Sequence, residues 1–248
     1  MTRAITVEIC VADLDSALDA ARGGADRIEL CDNLAVGGTT PSAGTIAEAC
    51  ARLSVPVHVL IRPRAGDFLP SDSELSAMRR DIDMARTLGA AGVVLGVLRR
   101  DARIDAVTVA SLVERARPMS VTFHKAFDQV PEPEEALETL IALGVDRVLT
   151  SGCRPTAEEG TDVLHQLVRR SAGRIAILVG GRLTLENLPR IVAETGTREI
   201  HLGSAVARTV SSAMEAAPAD GSELSWPGVE PAKVRRVVDL VRGLPIES

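Results

Sequence analysis

A single-domain (β/α)8 TIM barrel spanning residues 1–248 is the fold this sequence predicts. Three observations carry it. Eight short apolar stretches begin near Ile5, Arg27, Pro56, Gly92, Ser120, Arg147, Arg174 and Glu199, 22 to 36 residues apart. Each interval has room for one strand, one loop and one helix. The junctions then repeat one design: GADRIEL, GAAGVVL, GVDRVLT and GTREIHL each place a helix-closing glycine before a short turn and an apolar strand. The length of 248 residues also sits close to the roughly 250 of a typical barrel. An open doubly wound sheet would show the same alternation. The count of eight, and the glycine-rich ends of the last two strands, favour a closed ring.

Taken in order, the first strand is ITVEIC, ending at Cys10, and Asp13 is placed to cap the helix from Leu14. The second strand, RIELC, ends at Cys31. A Gly/Thr-rich loop over 32–42 leads through Pro41 into helix two. The third strand, PVHVLIR, runs into the loop PRAGDF and a long helix over about 72–88. Strands four to eight read GVVLGVL, SVTFHKA, RVLTSG, RIAILVGG and EIHLGSA. Between about 207 and 231 the pattern lapses into Ala, Ser, Pro and Gly. The expectation there is an irregular loop before a last helix over 233–240.

Hydrophobic residues make up 46% of the chain and aromatics 2%, with no Tyr and Trp226 as the one Trp. The core must therefore be aliphatic. The formal charge is −6 and no basic stripe is visible, which argues against nucleic acid. No apolar run approaches the roughly 18 residues of a membrane span, and the first strand begins at once, without a leader pattern. The expected location is cytoplasmic, with Cys10, Cys31, Cys50 and Cys153 reduced. Apolar helix faces leave a homo-oligomer open.

Strand alternation puts Glu8 with Cys10 and Glu29 with Cys31. If both pairs face inward, two carboxylates lie below two thiols on neighbouring strands. His58, Arg62, Thr122, His124 and His201 add polar groups where barrels usually hold branched apolar residues. A purely structural reading pairs Glu8, Glu29 and Arg62 as a buried ion network. A functional reading places a pocket at the barrel mouth. In that pocket Arg62 and Arg64 would hold an anion, helped by the Gly180–Gly181 amides and Ser204 at the strand ends where barrels often bind phosphate. His124, Glu29 or Asp128 would supply the acid or base. The chain would then be an enzyme acting on a small anionic or phosphorylated metabolite. Cys10 and Cys31 admit another chemistry. Two reduced thiols at adjacent strand ends suit a soft ion such as Cu(I).

Five motifs together, GADRIELC (24–31), GGTTPS (37–42), IRPRAGDF (61–68), TFHKAFD (122–128) and RVLTSG (147–152), resemble the CutC copper homeostasis family over nearly the whole chain. The resemblance implies a (β/α)8 barrel, a cytosolic setting and a role in copper tolerance, trafficking or storage. It further implies Cu(I) held by the cysteines matching Cys10 and Cys31. One departure is Lys125, where the family's HRAFD carries arginine.

Overall fold

Eight runs of mostly aliphatic residues form parallel strands, and each hydrogen-bonds to the next until the last meets the first. The computed structural model describes residues 5–212 and 224–245. The strands are β1 (Thr6–Val11), β2 (Arg27–Leu30), β3 (Val57–Leu60), β4 (Gly92–Leu95), β5 (Ser120–Phe123), β6 (Arg147–Thr150), β7 (Ala176–Gly180) and β8 (Glu199–Leu202). Pairing of β8 with β1, Val7 opposite Ile200, closes the barrel. The helices are α1 (Leu14–Gly23), α2 (Ala43–Arg52), α3 (Asp72–Thr87), α4 (Ala106–Ala116), α5 (Pro133–Ala142), α6 (Thr161–Ser171), α7 (Leu188–Thr195) and α8 (Pro231–Arg242).

Local chemistry sets the helix limits. Asp13 accepts from the Ser16 amide at 2.7 Å and starts α1. Ser71 and Glu74 form a reciprocal capping box on α3. Gly196 closes α7 at φ 71°, a left-handed conformation that glycine adopts without strain. The aliphatic core lies between the outer strand faces and the helices: Val7, Ile9, Ile28, Val59, Val93 and Val121 meet residues such as Ile46, Ile82, Leu112 and Leu137, all buried.

Three expectations need correction. The third and fifth strands end earlier than the apolar runs suggest. Arg62 follows β3 in a loop, and His124 turns the chain after β5 because its Nδ1 accepts from the Ala126 amide at 3.2 Å and caps a short 3₁₀ turn over Lys125–Gln129. The segment from 207 to 231 is not wholly irregular. Ala207–Ser211 (β9) and Ser225–Val229 (β10) pair antiparallel, Trp226 opposite Val210. The intervening 213–223 lie outside the described residues. Composition conceals this hairpin because Pro227 and Gly228 sit inside one strand, which a two-stranded edge tolerates. The last helix is also longer than expected, beginning at Pro231, which suits a first helical turn.

Candidate functional site

The inner barrel face is polar, and register explains how it is filled. Glu8 lies opposite Arg27 and opposite His201, while Cys10 lies opposite Glu29. Arg27 pairs with Glu8 and, at 2.6 Å, with Glu199. Arg147 completes the line through Glu199 at 3.0 Å and the Ser120 hydroxyl at 2.8 Å. The expected inner network therefore exists with a different cation. Arg27 and Arg147 neutralise it, not Arg62. Alternation along RIEL already put Arg27 on the Glu29 face, which was the available signal.

From Glu8 the polar line climbs to the mouth. His201 Nδ1 lies 2.7 Å from Glu8 Oε1, and its Nε2 lies 3.7 Å from Glu29 Oε2. Cys10 Sγ and Cys31 Sγ are 3.6 Å apart. Cys10, Glu29 and Cys31 place their ligand atoms within 4.8 Å of one another. All four cysteines are free thiols.

The charges settle by mutual contact. The hydrogen bond from Cys31 holds the Cys10 thiol down at about 5, against the opposing effect of burial and with help from His201. Cys31 is pushed up by its bond to that thiolate and by burial. Burial and the Cys10 charge raise Glu29 well above the carboxylate range. Burial would lower His201, but Glu29, Cys10 and Glu8 around it prevail and raise it. Glu8 is held low by Arg27 and His201 despite its burial. Cys10 is thus the more acidic of the two thiols, beside a carboxyl and above an imidazole whose pKa values are both raised.

Cys10 and Cys31 form the floor of a cavity of about 500 Å³. Its walls include Glu29, Arg62, His124, Asp128 and His201, so the barrel brings these distant segments to one opening. Arg62 is nearly buried. Its Nη1 donates to the Val36 and Gly38 carbonyls and its Nη2 to Gly66, and its guanidinium lies 5.2 Å from the centre of the Phe68 ring. Burial and the nearby Arg64 charge both lower its pKa. His124 packs against Phe68 with ring centres 4.7 Å apart and ring planes tilted by 50°. Its Nδ1 is occupied by the Ala126 amide, so the ring proton sits on Nε2. Asp128 accepts from the Ser151 and Cys153 amides and from the Thr150 and Ser151 hydroxyls, and pairs with Lys125 at 2.7 Å. That carboxylate organises the β6 loop.

The remaining expected anion groups do not line this cavity. Arg64 turns to Glu74 at 2.6 Å and Asp67 at 2.8 Å, as a surface pair. Ser204 is exposed in a 3₁₀ turn after β8. A Cβ at Gly180 would stand 3.2 Å from His201 Cβ, and one at Gly181 would stand 2.8 Å from Ser151 Cβ. These glycines leave room for neighbours. Lys125, Ser151 and Arg154 also line the opening and are not among the expected site residues.

The CutC family profile matches residues 5–206. The chain belongs to the CutC family. A human copper homeostasis protein cutC homolog is 49% identical over 195 residues, covering 79% of this chain and 71% of its own. A CutC family protein of Porphyromonas gingivalis is 41% identical over 97% of this chain and 100% of its own. The CutC crystal structure from Streptococcus agalactiae is 37% identical, with a TM-score of 0.77 over 81% of this chain and 98% of that one. Phosphoribosylanthranilate isomerase from Pyrococcus furiosus matches 97% of this chain and 100% of its own at TM-score 0.62 and 16% identity, a likeness of fold alone. Family members carry names that refer to copper homeostasis, and a Cys–Glu–Cys cluster occupies this chain's barrel mouth. Among the described residues no helix is long and apolar enough to cross a membrane.

Proposed function

We propose that this chain binds Cu(I) as cargo through Cys10 and Cys31, in keeping with the copper homeostasis role its relatives are named for. One observation carries the reading: two thiols 3.6 Å apart, one of them held as a thiolate by its neighbours. The donor set fits the ion. Thiolate is the soft ligand that Cu(I) prefers, and the thiolate is the form that binds metal. Glu29 offers a hard oxygen that adds little for such an ion. His201 balances the thiolate charge from below. A reducing, cytoplasmic compartment suits this reading, because adjacent thiols persist where disulfides are disfavoured.

Competition with bicinchoninate on reduced, metal-free protein tests it. One Cu(I) per chain is expected for wild type. Affinity should fall by two orders of magnitude or more in the Cys10→Ser, Cys31→Ser double variant and change less than tenfold in Glu29→Gln. A double variant that competes as well as wild type would remove the assignment.

A second reading, catalysis on a small anionic metabolite, draws on one observation: the cavity exceeds what an ion requires. In that reading Glu29 is the acid and the His124 Nε2–H polarises the substrate, with Arg62 as the anion contact. Turnover surviving the double cysteine variant would favour it.

A further inference from the structure

The two thiols at the cavity floor stand too close to grip an ion from opposite sides. At metal–thiolate bonds of about 2.3 Å, a straight sulfur–metal–sulfur unit sets its sulfurs about 4.6 Å apart. Cys10 Sγ and Cys31 Sγ are 3.6 Å apart. Such a pair holds an ion from one side, and both thiols line the cavity.

Among the described residues no further soft donor completes that ion. Glu29 is the third member of the cluster whose ligand atoms lie within 4.8 Å of one another, and a carboxyl oxygen is a hard ligand. The His201 ring lies outside that cluster, and its Nδ1 is engaged with Glu8 at 2.7 Å. No methionine and no third cysteine of the described residues lines the cavity.

The space over the thiols is about 500 Å³, within the range of organic-ligand pockets. One flank is apolar: Leu34, Leu60, Phe68, Leu149 and Pro155. Leu34 and Leu60 pack with Cys10 and Cys31 in a single cluster, so this flank reaches the sulfurs themselves. Charge narrows the choice of ligand. Cysteines must lose their protons to bind a metal, so Cu(I) on two thiolates leaves the floor with net negative charge, and Asp128 stands on the wall. A further anion is opposed there. A neutral soft donor is not.

We propose that this cavity admits a small neutral thioether, whose sulfur completes Cu(I) held on Cys10 and Cys31 and whose hydrocarbon arms lie against Leu34, Leu60 and Leu149. The proposal rests on the copper reading above and names a second ligand class for that site. The thioether sulfur donates a lone pair to the ion, and no proton or electron is transferred. Thioether is a soft ligand that suits Cu(I), whereas an ether or hydroxyl oxygen is hard.

Reduced protein loaded with one Cu(I) per chain and titrated anaerobically with thioanisole tests this. Anisole, which has the same shape with oxygen in place of sulfur, is one control, and metal-free protein is the other. X-ray absorption at copper should count two sulfurs before thioanisole and three after. Calorimetry should show one-to-one binding at least tenfold tighter than that of anisole, and at least tenfold tighter than that of thioanisole to metal-free protein. Pro155 is an exposed residue of the cavity wall, and Pro155→Trp should weaken thioanisole about tenfold by filling the space. Failure to load copper would overturn the copper reading and this proposal with it. Copper that loads but keeps two sulfurs at millimolar thioanisole would overturn this proposal and leave the copper reading standing. Equal affinity for anisole, equal affinity of metal-free protein, or unchanged affinity in Pro155→Trp would do the same.

Discussion

His58 and His124 are imidazoles that the fold keeps neutral. Burial draws each down to about 3, with the Arg62 charge adding to the effect on His124. In the unfolded chain a histidine titrates near 6.5. Below that pH the unfolded chain takes up protons that the folded rings refuse. The contribution to stability is therefore complete above pH 6.5 and is lost as pH falls toward 3. Other groups titrate in the same window, so the comparison of interest is between wild type and His124→Gln. Urea unfolding at pH 7 and pH 5 should show wild type losing about 2 kcal/mol more than the variant. Equal losses would mean that the His124 ring is not held neutral.

Strand pairs show why imidazoles fit inside this barrel at all. His58 lies opposite Gly92, and His201 lies opposite Gly180. A Cβ at Gly92 would stand 2.6 Å from the His58 ring, and one at Gly96 would stand 2.4 Å from His124. Each large polar ring takes the volume its neighbouring strand leaves vacant. Gly92→Ala should then cost about 1–3 kcal/mol by overpacking. Gly203→Ala, where nothing lies within 4 Å of the added carbon, should cost under about 0.5 kcal/mol. Thermal unfolding of the two variants decides it, and similar costs would discard the volume argument. The same elements mark what the sequence made legible. Apolar runs and helix-closing glycines are local signals, so the eight units and the neighbouring of Cys10 with Cys31 could be read directly. Gly180 and Gly181 looked like anion contacts because a glycine beside a strand end reads alike whether it approaches a ligand or a ring. The pairing of Arg27 rather than Arg62 with Glu8 depends on the stagger between strands, which no single strand encodes. The β9–β10 hairpin was hidden by small residues whose pairing is decided by a partner strand some fifteen residues away.

Across the barrel interior Arg27, Arg147 and His201 meet Glu8 and Glu199 in one connected line that ends at Cys10. The network runs from the strand beginnings to the cavity floor, so the state of the thiol at the mouth is tied to arginines at the far end. Desolvating these groups is costly, and a buried network of this kind does not stabilise the fold beyond what a well-packed apolar core would. Its effect is on the site: it supplies the imidazolium under Cys10. Removing one member should therefore be worse than removing a pair. Arg27→Met leaves Glu8 and Glu199 short of a shared cation and should cost about 3–5 kcal/mol. The Arg27→Met, Glu8→Gln double variant removes opposite charges together and should cost less than the sum of the single changes by more than about 1 kcal/mol. A double-mutant cycle in urea measures this coupling. Simple additivity would mean that Arg27 and Glu8 do not act through one another, and the charge link from the barrel floor to Cys10 would lose its first step.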